Sequence, residues 1–225
     1  MSNEELFLLR CLIEGVLLII AGRMGSQYLY AFIIANLLLV PLFGQKLVLL
    51  FGIITNAGNV SYASAIIAAA LIIERDDKKE RLPLIGMGLI ASVTFVSIAV
   101  SSAMMHDTQE GAVTGGYLSS LFSFAPRISA ASFSAYAIAM MVFSNVYLSL
   151  KDVSEKALWF RVFVSCVIAQ AVDSIIFYTL AFSGVLPVQE ILVVMLFGFL
   201  TKCVVSLLLL PFVSLSLNRS LKNLF

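Results

Sequence analysis

The sequence predicts an all-α, polytopic membrane protein, and several of its features indicate this class. Hydrophobic residues occupy 61% of the 225 positions and charged residues only 12%, whereas a soluble domain has about 25% charged residues. The mean hydropathy of +1.04 is correspondingly high. Apolar segments that approach or exceed the length of a membrane-crossing helix, about 20 residues, recur along the chain. They are continuously apolar rather than alternating, which excludes a transmembrane β-barrel.

We expect a single transmembrane helical domain over residues 1–225, with about seven spans in a lipid bilayer. The candidate segments are 5–22, 27–43, 47–73, 84–105, 117–150, 158–183 and 188–217. Cytoplasmic connections carry an excess of Lys and Arg. Nine such residues lie in alternate connections and in the C-terminal tail: Arg23, Arg75, Lys78, Lys79, Arg81, Lys151, Lys156, Arg219 and Lys222. The opposite side has Lys46 and little else, so the sequence predicts a cytoplasmic (inner) membrane protein with its N-terminus outside and its C-terminus in the cytoplasm.

The first two segments contain polar or helix-breaking residues. Arg10 and Glu14 are four residues apart, so we expect them to share a helical face and to form a local salt bridge. Pro41, late in the second segment, predicts a kink or the end of that helix.

The third segment opens with FGIITNAGNVSYAS, which places polar and small residues at membrane depth. Unwound or re-entrant backbone is tolerated at that depth only where it faces protein or a cavity. Asn59 is therefore a candidate binding residue. The segment ends in the mixed-charge run IIERDDKKER, which is most simply a solvated cytoplasmic loop, although Glu74 at its membrane edge could instead face inward.

The fourth and fifth segments offer few ionisable groups. The single histidine, His106, precedes Asp107 and Glu110 in a polar loop. A flexible loop is a simpler interpretation of this stretch than a metal site, so no metal ligand is predicted. Pro126 suits the first turn of the fifth helix. That segment is longer than one straight crossing needs, so we expect its first turns to lie in the outer interface or its end to extend past the cytoplasmic face.

The sixth segment organises the functional argument, because Gln170 and Asp173 lie deep within its apolar run. They are three residues apart and therefore share one helical face. A carboxylate at mid-membrane costs on the order of 3 kcal/mol on insertion scales. We therefore expect this face to have a charged partner, a water-filled cavity or a ligand.

Lys202 in the seventh segment is the expected partner of Asp173. Counted forward from residue 158 and back from residue 217, both residues lie at the same distance from the cytoplasmic side, about 22 Å at the rise of an α-helix. Consecutive antiparallel helices are usually neighbours, so we predict contact between the two side chains. The pair could be purely structural, or both residues could line a polar pocket.

The sequence offers no signature of an enzyme. HExxH, GxSxG and Walker patterns do not occur in it, and Asp173 is the only acid deep in the predicted membrane region, which argues against an aspartyl dyad. A net charge of +1 provides no basic surface for nucleic acid. We expect neither an enzyme nor a cofactor, and any transport would be secondary or driven by separate energising subunits of unknown identity.

Several stretches resemble the vitamin uptake transporter family, also known as queuosine precursor transporters. They are FGIITNAGNVSYAS (51–64), IIERDDKKERLPLIGMG (72–88), PRISAASFSAYAIA (126–139), LWFRVFVSCVIAQAVDSIIFYTLAFSG (158–184) and FGFLTKCVVSLLLLPF (197–212). The resemblance implies six or seven spans, arranged as in the substrate-binding subunits of energy-coupling-factor transporters. It implies deazaguanine bases as substrates. The chain resembles a divergent member, because Ala70, Met140 and Phe143 stand where the family usually has polar residues.

The resemblance also assigns candidate site residues. Positions that match the family are Glu74, Arg127, Arg161, Gln170, Asp173 and Lys202. A guanine-like edge presents adjacent N–H donors, and one carboxylate such as that of Asp173 can accept hydrogen bonds from two of them. Gln170, one turn away, can pair with a neighbouring carbonyl or ring nitrogen. Phe177 or Tyr178 could stack on the flat ring.

The leading hypothesis is therefore a transporter that imports a deazaguanine base or a related small heterocycle. One alternative is a substrate-capture subunit for another vitamin, working with a separate energising module. Another is a non-transporting structural membrane protein whose buried charges only hold helices together.

Overall fold

The computed structural model describes residues 1–76, 81–106, 108, 115–117, 119, 122, 125–153 and 158–217. The named elements are α1 (Asn3–Met24), α2 (Ser26–Phe43), β1 (Leu47–Leu50), β2 (Ile53–Asn56), α3 (Asn59–Asp76), α4 (Arg81–Met104), α5 (Ala125–Val153), α6 (Leu158–Phe182) and α7 (Val188–Leu217). Long helices dominate these described ranges, which confirms the all-α class.

Five of the described helices are long and apolar enough to cross a membrane: α2, α4, α5, α6 and α7. The molecule is thus a multi-pass membrane protein. The other two long helices carry more charge. Glu5, Arg10 and Glu14 lie within α1, and α3 ends in Glu74 and Arg75. The expectation of seven spans therefore stays a prediction for α1 and α3.

Helix α3 is the central element of the fold. Every residue from Val60 to Ile73 is buried, because the helix packs against α1, α2, α5, α6 and α7. Alanines such as Ala63, Ala65 and Ala69 let the surrounding helices approach closely. A helix that is apolar on all sides is expected to be enclosed, and this enclosure places both ends of α3 against its neighbours.

The start of the predicted third segment is not helical. Residues 47–56 form a two-stranded antiparallel hairpin in which Leu50 pairs with Ile53. The two turn residues, Phe51 and Gly52, both have positive φ (50° and 77°), as a type I′ hairpin turn requires. The Glu4 carboxylate accepts a 3.0 Å hydrogen bond from the Phe51 backbone N–H, which ties the hairpin to the start of α1.

The predicted salt bridge within α1 is replaced by contacts to other helices. Arg10 donates a 2.7 Å hydrogen bond to the Ser61 hydroxyl of α3, and its guanidinium lies over the ring of Phe43. Glu14 accepts a 3.2 Å hydrogen bond from the Asn36 amide of α2. Arg10 and Glu14 therefore bond to residues of neighbouring helices and not to each other. Arg10 links α1 to α3, and Glu14 links α1 to α2.

Helices α6 and α7 pack side by side, as expected of consecutive antiparallel helices. The close approach depends on Gly198 of α7. A Cβ atom at this position would lie 2.0 Å from the hydroxyl oxygen of Tyr178 on α6. The missing side chain lets the Tyr178 ring lie against α7, with its centroid 5.7 Å from the Lys202 Nζ.

Candidate functional site

Asp173 of α6 and Lys202 of α7 form a buried ion pair. The distance from the Lys202 Nζ to the Asp173 Oδ2 is 2.5 Å, and the two side chains are only 4% and 3% exposed, respectively. Lys202 also donates a 3.3 Å hydrogen bond to the Ser174 hydroxyl. The contact predicted from the equal depth of the two residues is therefore confirmed.

Aromatic rings surround the ammonium group of Lys202. Its Nζ lies 4.7 Å from the ring centroid of Tyr62, 5.7 Å from that of Tyr178 and 5.9 Å from that of Phe177. These distances fall within the range in which a cation is attracted to the face of an aromatic ring. The rings thus help to stabilise a charge that has little contact with solvent.

Asp173 and Lys202 line a small cavity among α2, α3, α5, α6 and α7. The other lining residues are Val40, Gly44, Asn56, Gly58, Asn59, Tyr62, Ser132 and Phe177. The free volume is about 20 Å³, which suffices for roughly one water molecule. Ligand sites commonly have about 300–1,000 Å³. The structure is therefore a contracted state, and a larger ligand would need side chains or helices to move apart.

The hairpin forms one wall of this cavity. Asn56, the last residue of β2, donates a 2.7 Å hydrogen bond to the Tyr178 hydroxyl. Asn59 follows at the start of α3 and donates a 2.9 Å hydrogen bond to the Thr55 hydroxyl. Asn56 also lines a second cavity of about 190 Å³ on its other side, which Arg10 and Lys46 border. The hairpin thus separates the two spaces.

Four of the predicted site residues meet in the cavity: Asn59, Asp173, Phe177 and Lys202. Gln170 lies one turn along α6 from Asp173 and outside the residues that line the cavity. Its amide nitrogen donates a 2.8 Å hydrogen bond to the Ser206 hydroxyl of α7. The shared helical face that the spacing predicted is present, but Ser206 holds the Gln170 amide.

Arg127 lies at another place in the fold, at the start of α5. Its side chain is exposed and donates hydrogen bonds to the backbone carbonyls of Leu180 and Ser183. These carbonyls belong to the C-terminal end of α6, where helical carbonyls lack partners and a cation is favoured. Arg127 therefore holds the end of α6, the helix that carries Asp173.

Glu74 belongs to a second charged cluster at the opposite end of α3 from Asn59. Its carboxylate lies 2.9 Å from the Arg161 guanidinium and 3.8 Å from the Lys151 ammonium. The Tyr147 hydroxyl donates a 2.7 Å hydrogen bond to it. The 15 residues from Asn59 to Glu74 correspond to about 22 Å along an α-helix, so the structure does not bring Glu74 to the cavity.

Six lining residues were not predicted as site residues, and two of them, Tyr62 and Ser132, carry hydroxyl groups. Tyr62 is three residues beyond Asn59 on α3 and therefore on the same helical face, a spacing that could have identified it. Ser132 is one of several small residues in α5, and no pattern in the sequence separates it from its neighbours. Its relevance depends on how α5 packs against α3 and α6.

The chemistry of the cavity suits a neutral, flat and polar ligand. The paired charges of Asp173 and Lys202 offset each other, so the site has no strong net charge. The Oδ2 atom of Asp173 accepts a hydrogen bond from Lys202, and the Tyr62 hydroxyl lies beside the same carboxylate. The rings of Tyr62 and Phe177 provide apolar faces against which a planar group can pack.

These features define the class of the molecule, a multi-pass α-helical membrane protein with a buried polar cavity among its helices. The model of the family described as "Putative vitamin uptake transporter" matches residues 56–216, and the chain belongs to this family. The chain is also similar to the "Probable queuosine precursor transporter" of Bacillus subtilis (strain 168). The two are 25% identical over 220 residues, which cover 94% of this chain and 93% of the relative. No solved structure matches the chain. The family membership makes the protein a transport protein rather than an enzyme.

Proposed function

We propose that this protein imports a queuosine precursor, a deazaguanine base or a related small heterocycle, across the cytoplasmic membrane. The observation that carries the proposal is the Asp173 carboxylate in a cavity lined by aromatic rings. The name of the Bacillus subtilis relative supports the choice of substrate class. The buried polar cavity supports a role in binding a small molecule, beyond holding helices together.

Asp173 is the residue proposed to recognise the base through hydrogen bonds. A guanine-like edge has adjacent N–H donors, and an ionised carboxylate accepts such bonds strongly. Lys202 holds one oxygen of the carboxylate at 2.5 Å, and the second oxygen is proposed for the ligand. Phe177 lies one turn from Asp173 on α6 and lines the same cavity, so its ring is the proposed stacking surface.

Gln170 is proposed as a second ligand group that becomes available when the cavity opens. Its amide oxygen is buried and has no hydrogen-bond partner among the described residues. A change in the contact with Ser206 would let the amide reach a carbonyl or ring nitrogen of the base. Asn59, already at the cavity, would contribute its amide from the opposite wall.

Arg127 and Glu74 are proposed to act at the two ends of the transport path instead of contacting the base in the cavity. Arg127 binds the end of α6, and Glu74 joins α3 to α5 and α6 through Lys151, Tyr147 and Arg161. In the orientation that the charge asymmetry of the sequence predicts, the hairpin lies outside and the Glu74 cluster lies at the cytoplasmic side. Opening the cavity to either side would require these end contacts to rearrange.

The decisive experiment is uptake of a labelled deazaguanine base by cells that lack their own importer and carry this gene. We expect uptake above the empty-vector level, and competition by the unlabelled base but not by an unrelated vitamin. Competition by a vitamin alone, with ATPase subunits co-purifying, would favour a substrate-capture subunit for that vitamin. Absence of both uptake and binding would favour a purely structural membrane protein.

A further inference from the structure

Buried hydroxyl groups without partners mark the walls of the candidate cavity. More than nine in ten buried polar groups in proteins have a hydrogen-bond partner. The Tyr62 hydroxyl and the Ser132 hydroxyl are both buried, and neither has a partner among the described residues. Leaving such groups unpaired costs free energy, so each calls for an explanation.

The two hydroxyl groups face the same space. Tyr62, on α3, is 4% exposed and Ser132, on α5, is 9% exposed. Both line the cavity that also contains Asp173 and Lys202. The Tyr62 hydroxyl lies beside the Asp173 carboxylate and interacts with it electrostatically, but outside the geometry of an ordinary hydrogen bond. Residues from α3, α5, α6 and α7 therefore border the same cavity.

Other helical hydroxyl groups of the chain show what a purely structural group does. Ser64 and Ser144 donate to the carbonyls four residues earlier, at 2.9 and 2.7 Å, the usual solution for a buried serine in a helix. The Tyr136 hydroxyl donates a 2.8 Å hydrogen bond to the Leu84 carbonyl. Tyr62 and Ser132 form no such bond, which they share with the buried hydroxyls of Ser129 and Ser165 outside the cavity.

Tyr62 and Ser132 also separate the cavity from a second, smaller void. That void has a free volume of about 10 Å³, and Gly88, Ser92 and Tyr136 lie on its far side. Movement of the Tyr62 and Ser132 side chains would join the two spaces. The joined pocket would extend from the Asp173–Lys202 pair toward α4 and accommodate a longer flat molecule.

We propose that Tyr62 and Ser132 are substrate-binding residues whose hydroxyl groups bond the acceptor atoms of a planar heterocycle. The donor edge of the same heterocycle faces Asp173, and this part of the inference rests on the proposed function. The ligand class is thus a flat ring system with hydrogen-bond donors and acceptors on different edges. The two hydroxyl groups have no hydrogen-bond partner among the described residues, so they are available to these acceptors.

The test measures purified variants in detergent, both without ligand and with 7-deazaguanine. Tyr62→Phe and Ser132→Ala each remove only the hydroxyl, and Tyr62→Phe keeps the ring over Lys202. Without ligand, we expect a melting temperature equal to or above that of the wild type, because an unpaired buried group is lost. The affinity for 7-deazaguanine should fall about 2- to 12-fold per hydroxyl, the range for one neutral hydrogen bond.

Two matched variants separate binding from structure. Ser129→Ala removes another unpaired buried hydroxyl of α5 that faces the groove between α4 and α5, so the affinity should not change. Tyr136→Phe removes a hydroxyl that is bonded within the protein, so the melting temperature without ligand should fall.

Two results would overturn the inference. The first is a loss of ligand-free stability in Tyr62→Phe and Ser132→Ala like that in Tyr136→Phe, because the hydroxyl groups would then have partners in the protein. The second is wild-type affinity in the Tyr62→Phe, Ser132→Ala double variant. Failure of the wild type itself to bind 7-deazaguanine would instead overturn the proposed substrate, and the ligand-free stabilities would still decide whether the hydroxyl groups are unpaired.

Discussion

The Lys202 ammonium and the Asp173 carboxylate meet 2.5 Å apart between α6 and α7, with almost no exposure of either side chain. Each charge is the principal partner of the other. Placing two ions in a low-dielectric interior has a large desolvation cost, which close pairing and further hydrogen bonds offset. The same pair also lines the cavity, so its structural and functional roles must be separated by experiment.

Removing one member of this pair should destabilise the protein more than removing both. Asp173→Asn and Lys202→Met each leave an uncompensated buried group, at a cost of about 3–5 kcal/mol. The double variant leaves no unpaired charge, so we expect it to yield more folded protein than either single variant. The monodisperse fraction after detergent extraction measures this effect. Additive losses would show that the two residues act independently.

The Glu74 cluster should depend on Arg161 much more than on Lys151. Arg161 is 1% exposed and lies 2.9 Å from Glu74, so Arg161→Met removes a charge-assisted hydrogen bond, and we expect a loss of about 1.5–3 kcal/mol. Lys151 is 27% exposed and lies 3.8 Å away, so Lys151→Met should cost less than about 1 kcal/mol. Thermal unfolding in detergent compares the two. Equal losses would contradict the assignment of Arg161 as the main partner.

The hairpin should loosen from α1 at low pH. The hydrogen bond from the Phe51 backbone N–H holds the pKa of Glu4 below its usual value of 4.5. Because the folded-state pKa is lowered, the contact contributes above pH 4.5 and is lost as the pH falls through the folded value. The protection of the amides of residues 47–56, measured as exchange relative to the intrinsic rate at each pH, should therefore fall below pH 4.5. Glu4→Gln should exchange faster at neutral pH and lose this pH dependence.

The sequence predicted the pairing of Asp173 with Lys202 because that argument needs only the helical rise and the adjacency of consecutive helices. It did not predict the hairpin. The apolar run of residues 47–54 is equally compatible with a strand and with the start of a buried helix. The deciding features are the turn at Phe51 and Gly52 and the tie to Glu4. The contact with Glu4 joins two segments that are far apart in the sequence, and a local sequence pattern does not show such a contact.

The candidate site was only partly predictable for a related reason. Depth and helical face identified Asp173 and Lys202, and the position of Asn59 at the start of α3 was informative. Gln170 shares the face of Asp173, but a hydroxyl on α7 binds its amide. Ser132 lines the cavity because α5 packs against α3 and α6. The packing of three helices brings these residues together, and no local pattern in the sequence indicates it.

The orientation in the membrane should follow the nine-to-one distribution of cations. Reporter fusions after Met24, Lys78, Val153 and Phe225 should all report a cytoplasmic location, because cytoplasmic connections retain Lys and Arg. The same fusions also test whether α1 and α3 cross the membrane, which their composition leaves open. A fusion after Lys46 should report the outside. A periplasmic signal at Lys78 or Val153 would contradict the seven-span topology.

Asp173 should be indispensable for uptake of the base. Asp173→Asn replaces one acceptor with a donor that faces the N–H groups of the ligand. Loss of a hydrogen bond to a charged acceptor costs roughly 1.5–3 kcal/mol, or about 10- to 150-fold in affinity. Gln170→Ala should weaken binding less, because only a neutral bond is lost. Binding of labelled base to purified protein and uptake by whole cells measure the two effects.

The control for this prediction must exclude misfolding, because Asp173→Asn also leaves Lys202 without its carboxylate. Glu190→Gln makes the same type of change at an exposed acid in the first turn of α7 and should transport like the wild type. Only variants that stay monodisperse in detergent are compared. Wild-type uptake by folded Asp173→Asn protein would show that the carboxylate does not read the base. The group that recognises the base would then have to be sought among the other residues that line the cavity, such as Asn59 and Tyr62.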